Sequence, residues 1–276
     1  MLIITMLAIL LPSATPVSLN YSGPKNRHTT DLSQFNTRPW TAGDKLFVAV
    51  PDTNLREAAN SQAAVLAVLP LAAPVTVKTV VDTLVRVGER VDRWYEIDTG
   101  DKHGFVFGGA LTPAGYRFDF DGDGIDELVT VAFTPDYKIR IRDQKTTTNA
   151  PVNQLDLEPG GQGYVCCGGA LEIATVPKKE ASLPLLVIKS TIEACGDYAW
   201  YYVSAKDAHP QQALWVSGLA DAPSFAEPSV TFDSKGGATV VIKAYSLDDN
   251  NKEAEVERHT KRYLVKNGVF VEKTGK

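Results

Sequence analysis

The feature that most constrains this chain is its hydrophobic rhythm. From about Asp44 onward, apolar residues come in short runs that alternate with polar ones and are cut off by Gly, Pro, Asn or Asp. Leu46-Phe47-Val48-Ala49-Val50, Leu84-Val85-Arg86-Val87, Trp94-Tyr95-Glu96-Ile97 and Leu185 to Ser190 are examples. Such runs place side chains on the two faces of a strand, and no stretch sustains the 3.6-residue period of an amphipathic helix. An all-β fold follows. The 276 residues exceed one typical domain, and 44% hydrophobic content is ample for packed cores. The expected architecture is a small barrel followed by a larger β-rich, sandwich-like domain.

The two ends of the compositional range bound the cellular setting. Met1 to Leu11 is apolar but too short to span a bilayer, and Pro12-Ser13-Ala14-Thr15-Pro16 follows it. Residues 1–18 therefore read as an export signal, the alternative being a buried N-terminal strand. Residues 19–43, rich in Ser, Thr, Asn, Pro and Gly, read as a linker. No other segment has the length of a membrane helix, so an extracytoplasmic protein (periplasmic or secreted) is expected, without stable membrane insertion. A formal net charge of −5, from 28 basic and 33 acidic side chains, supplies no basic field for a nucleic-acid backbone.

Residues 44–113 pack several short strands into a small interval, the pattern of a barrel or sandwich. Within it occur Asn54-Leu55-Arg56, then Val65-Leu66, then Arg93-Trp94-Tyr95-Glu96-Ile97, then Lys102-His103-Gly104-Phe105-Val106-Phe107. This series resembles bacterial Src-homology-3 domains. Glu57-Ala58 stands where such domains often place Ser-Gly or Pro. The aromatic pair would pack on the barrel, and Gly104 would let the neighbouring chain approach closely. What the resemblance implies is recognition of a cell-wall (peptidoglycan) peptide or a protein partner. Trp94 reads as core; Tyr95 is a candidate for a ligand-facing surface.

Directly afterwards comes Asp119-Phe120-Asp121-Gly122-Asp123-Gly124-Ile125-Asp126-Glu127, followed by the β-branched run from Leu128 to Phe133. Carboxylates at alternate positions with Gly124 at the sixth can wrap one hard cation. Position twelve is Thr130 and the flank is strand-like, so this is not an EF-hand. The nine-residue form resembles the calcium loop of integrin-type FG-GAP and VCBS repeats, with Glu127 where those repeats usually carry Asp. The resemblance gives Asp119, Asp121, Asp123, the Ile125 carbonyl and Glu127 as ligands, with Asp126 turned to water. All-oxygen donors favour Ca²⁺ over zinc, and a flexible many-ligand loop favours it over Mg²⁺. A single loop cannot make a multi-bladed propeller.

No catalytic constellation emerges. The four histidines are scattered, and there is no Gly-x-Ser-x-Gly elbow, phosphate loop or His-Glu-x-x-His helix. His259 shares a solvated face with Glu255 and Glu257. Cys166 and Cys167 are adjacent and Cys195 distant, which disfavours zinc; in an oxidising compartment Cys195 is expected to pair with either of them. Tyr198, Trp200 and Tyr202 alternate onto one face and Tyr201 onto the other. That face reads first as core and second as a saccharide- or peptide-binding surface. A non-enzymatic binding or scaffold protein is the expectation, with a cell-wall hydrolase or its accessory subunit as the alternative.

Overall fold

Strand β1 (Val17–Tyr21) spans the end of the expected leader and the start of the expected linker. In the computed structural model, which describes residues 17–21, 39–136, 138–147, 150–158, 169–192, 197–207, 209–221, 224–233, 235–248 and 252–274, it lies at the edge of the largest sheet. The rest of the expected leader and linker, apart from residues 39–43, falls outside the described residues. So do Cys166, Cys167 and Cys195, and with them the expected disulfide.

The first compact unit is built from β2 (Lys45–Val48), β3 (Thr53–Arg56), β4 (Val65–Leu69), β5 (Pro74–Val87), β6 (Arg90–Asp98), β7 (His103–Phe107) and β8 (Leu111–Thr112). They form one sheet in the order β4-β3-β7-β6-β5-β2-β8. Register breaks within β3 and within β5 bend this sheet around a core of Leu46, Val48, Leu55, Val75, Val77, Tyr95, Ile97 and Val106. Gly104 is required where it stands: a Cβ there would lie 2.7 Å from the Arg56 carbonyl oxygen on the neighbouring strand. Trp94 is buried, as its alternation implies, and meets Phe107 edge-on at 5.8 Å.

A four-stranded antiparallel sheet follows, from β9 (Ala114–Phe118), β10 (Glu127–Phe133), β11 (Ile139–Lys145) and β12 (Val152–Leu157). The remaining strands are β13 (Gly169–Val176), β14 (Leu185–Ile192), β15 (Asp197–Lys206), β16 (His209–Asp221), β17 (Ser224–Asp233), β18 (Gly237–Leu247), β19 (Glu253–Lys266) and β20 (Val269–Glu272). With β1 they make a nine-stranded antiparallel meander. The one α-helix among the described residues, Lys178–Ala181, is far too short to cross a membrane.

Strands β14 and β15 are buried on both faces, which explains their dense apolar sequence. Leu186, Ile188, Tyr201 and Val203 face the four-stranded sheet and share a core with Val129, Val131, Ile139 and Ile141. The alternate residues Leu185, Val187 and Tyr202 face a second core, closed by Ala238, Val240 and Phe270 where the meander curls back. Tyr202, Phe232 and Phe270 form a chain of rings with centroids 5.4 Å apart at each step. The protein is thus nearly all β, as the periodicity requires.

Candidate metal centre

The acidic loop joins β9 to β10, and its shape follows from its sequence. Gly122 and Gly124 adopt φ of +80° and +92°, which a side chain would strain. Each aspartate then folds back on the backbone. Asp119 accepts the Gly122 and Gly124 amides at 2.8 and 3.1 Å, Asp121 accepts the Asp123 amide at 3.1 Å, and Asp123 accepts the Ile125 amide at 2.8 Å. Glu127, the first residue of β10, points inward and is completely buried. Its Oε2 accepts the Phe120 amide at 2.6 Å, while Oε1 is buried with no hydrogen-bond partner among the described residues.

The structure brings three of the expected ligands together: Asp119, Asp121 and Glu127 each present an oxygen within 4.8 Å of the others. Asp123 turns toward Lys145 of β11, whose ammonium bridges it to Asp121, the latter contact at 3.0 Å. Lys145 stands directly opposite Glu127 in the β10–β11 register. Ile125 has an exposed side chain, and Asp126 lies outward in a 2.9 Å pair with Arg117. Burial, with the nearby Asp121 charge adding to it, pushes Glu127 up to about 7 despite the Phe120 amide. The Lys145 ammonium, followed by the Ile125 amide, holds Asp123 below the usual carboxylate range.

A second polar row lies one step further into the sheet. Asp143 of β11, completely buried, accepts from Asn153 Nδ2 at 3.2 Å and leaves Oδ1 unpartnered among the described residues. Burial pushes it up to about 6. The buried Tyr116 hydroxyl, in the same cross-strand row through Val129, likewise has no partner among the described residues. Reading of the loop alone missed Lys145, Asp143 and Asn153. Their signal was the inward phase of β11, where Ile139 and Ile141 are followed at the same spacing by Asp143 and Lys145.

The arrangement suits a hard cation. All its converging donors are oxygens, and an ionised buried oxygen with no donor aimed at it is a costly feature that a cation would remedy. The unpartnered Oε1 would then become a ligand beside Asp119 and Asp121.

The aromatic candidates lie elsewhere. Tyr95 is fully buried in the small sheet's core, its hydroxyl accepting the Trp40 amide at 3.2 Å, and offers no face to a ligand. Tyr202 is likewise a core residue. Trp200 is half-buried with Lys189 Nζ 4.3 Å above its ring; only the backbone of Tyr198 is described. His259 sits on an exposed strand, 2.8 Å from Glu257. Compared with known proteins, the chain matches no family model, no curated protein and no solved structure.

Proposed function

We propose that this chain is an exported, non-enzymatic binding or scaffold protein whose small N-terminal sheet recognises a wall peptide or partner protein and whose second unit is held by a structural Ca²⁺ ion. The observation that carries the metal reading is Glu127: completely buried, with one oxygen unpartnered among the described residues, and with a carboxylate oxygen within 4.8 Å of those of Asp119 and Asp121. The ion's role is structural because the loop is the hinge of the β9–β10 hairpin, which supplies half of the sheet packed on the nine-stranded meander. The peptide-recognition reading is supported by the resemblance of residues 44–113 to bacterial Src-homology-3 domains, and export by the apolar leader.

Calorimetric titration of Ca²⁺ into the purified chain tests the metal, beside a variant carrying Asp119→Ala and Asp121→Ala. Saturable heat with a rise in melting temperature for the wild type alone is expected. No heat and no thermal shift at millimolar Ca²⁺ would remove the metal and leave Lys145 as the cation that bridges Asp121 and Asp123. Pull-down of peptidoglycan fragments by the full chain tests the other half of the reading independently.

A further inference from the structure

A second cluster lies on the opposite face of the four-stranded sheet. Alternation turns Ile139 and Ile141 inward and Arg140 and Arg142 outward, toward the small sheet. On that outer face Leu128 and Val152 pack against Phe47, Leu71 and Ala72. At the same seam Arg142 Nη1 donates to the Ala49 carbonyl at 2.8 Å, and Arg90 of β6 donates to the Gly109 carbonyl. The two anchoring segments adjoin, since the Ala49 amide donates to the Ala110 carbonyl at 2.7 Å. Guanidinium groups from two different sheets therefore anchor on adjoining segments, close enough for the Arg90 charge to act on Arg142.

Their charges are matched there only at a distance: Asp156 acts on Arg142 and Asp92 on Arg90 without an ion pair to either. Arg140 is spent on Asp156, through two hydrogen bonds of 2.7 and 2.6 Å. Among the described residues Arg90 and Arg142, both half-buried, each make one hydrogen bond, to a carbonyl, and no carboxylate lies within ion-pair distance of either. A guanidinium has five N–H donors in a planar fork, so most of each remains unused. Burial, then the neighbouring arginines, push Arg142 down to about 10. Asp92, the carboxylate that acts on Arg90, is itself pushed up to about 7 by burial, so it offsets that charge only in part near neutrality.

We propose that Arg90 and Arg142 form an oxyanion-binding seam between the small sheet and the four-stranded sheet, taking a carboxylate or phosphate group through their unused N–H donors. A bound oxyanion would replace water on two forks already fixed by backbone carbonyls, which lowers the entropy lost on binding. It would also tie the two sheets together. The seam is separate from the acidic loop and stands whether or not that loop binds metal.

The test is nuclear magnetic resonance titration of the full chain at low ionic strength with three probes: inorganic phosphate, tri-alanine with a free carboxylate, and tri-alanine amide. The expected result is perturbation of the Arg90 and Arg142 Nε–Hε signals by phosphate, by the free-acid peptide or by both, but not by the amide. Response to phosphate alone marks a tetrahedral ligand, and response to the free acid marks a peptide terminus. Arg90→Gln and Arg142→Gln should each weaken binding roughly tenfold. Arg142→Lys keeps the charge and protects against a folding failure; it should bind more weakly than wild type because the fork is lost. No response to either oxyanion up to about 50 mM, or wild-type binding by the Gln or Lys variants, would overturn the proposal.

Discussion

Glu127→Gln should reverse its effect on stability according to whether Ca²⁺ is present. In the metal-free protein the folded carboxyl sits at about 7 against an ordinary value of 4.5. Above pH 7 it is ionised in both states, and its ionised form is disfavoured in the fold. The difference corresponds to about 3 kcal/mol as an upper bound, at 1.36 kcal/mol for each pH unit. The sign follows from proton counting: between pH 4.5 and 7 the folded state holds more protons than the unfolded one, so stability falls as pH rises through that window. Glutamine removes the ionisation, keeps an oxygen for the Phe120 amide, and directs its NH₂ toward the neighbouring Asp119 and Asp121 oxygens. Allowing for imperfect geometry, a gain of about 1–2 kcal/mol at pH 8 in chelator is expected. That is a rise of roughly 3–6 °C in melting temperature.

With Ca²⁺ the order inverts. Wild type gains about 2.7 kcal/mol when the ion is at a hundred times its dissociation constant, while the variant lacks the buried ionised ligand and gains little. Differential scanning calorimetry at pH 5 and pH 8, each with chelator and with Ca²⁺, gives four comparisons. In chelator the two proteins should converge at pH 5, where the wild-type carboxyl is protonated. If the variant is less stable by the same amount in all four conditions, Glu127 is an ordinary structural acceptor and the argument for the metal fails.

The other predictions address separate parts of the molecule. Lys145→Met removes the ammonium that bridges Asp121 and Asp123, so Ca²⁺ affinity measured by calorimetry should rise roughly tenfold while the metal-free melting temperature at pH 8 falls. Burial raises Asp92, Asp143 and Glu127 to about 7, 6 and 7, so urea denaturation of the metal-free chain should show greater stability at pH 5 than at pH 8, lost progressively as pH rises toward 7. Phe270→Ala breaks the ring chain through Phe232 to Tyr202 and should cost about 3 kcal/mol in the same assay. Gly104→Ala drives a methyl group against the Arg56 carbonyl and should cost about 1–3 kcal/mol, with amide exchange rising first in β3 and β7.

What could be read from the sequence was what depends on neighbours along the chain. The period of two, the turn residues between runs, and the spacing of Asp119, Asp121 and Glu127 are local, and each reappears in the structure as a strand, a bend or a converging oxygen. Burial of Trp94 was legible for the same reason. Tyr95 was not: it follows Trp94 on the opposite face of β6, yet the sheet curls so tightly that it lies in the core while Trp94 is covered by Phe107. Curvature comes from register breaks in β3 and β5, which no local pattern in those strands announces.

The partners of the polar groups were hidden for a related reason. Lys145 reaches the loop only because β10 and β11 pair with Glu127 opposite Lys145; a shift of one residue would turn the lysine to the other face. Register in turn is fixed by burying Val129, Val131, Ile139 and Ile141 together against β14 and β15. The apolar pattern thus decides which charges meet, although it contains none of them. The same pairing sets Arg140 and Arg142 outward whenever Ile139 and Ile141 are inward, so the acidic loop on one face and the arginine seam on the other are consequences of a single register. A substitution that slipped β11 by one position would break both arrangements together, whereas changes confined to Lys145 or Arg142 should leave the opposite face intact.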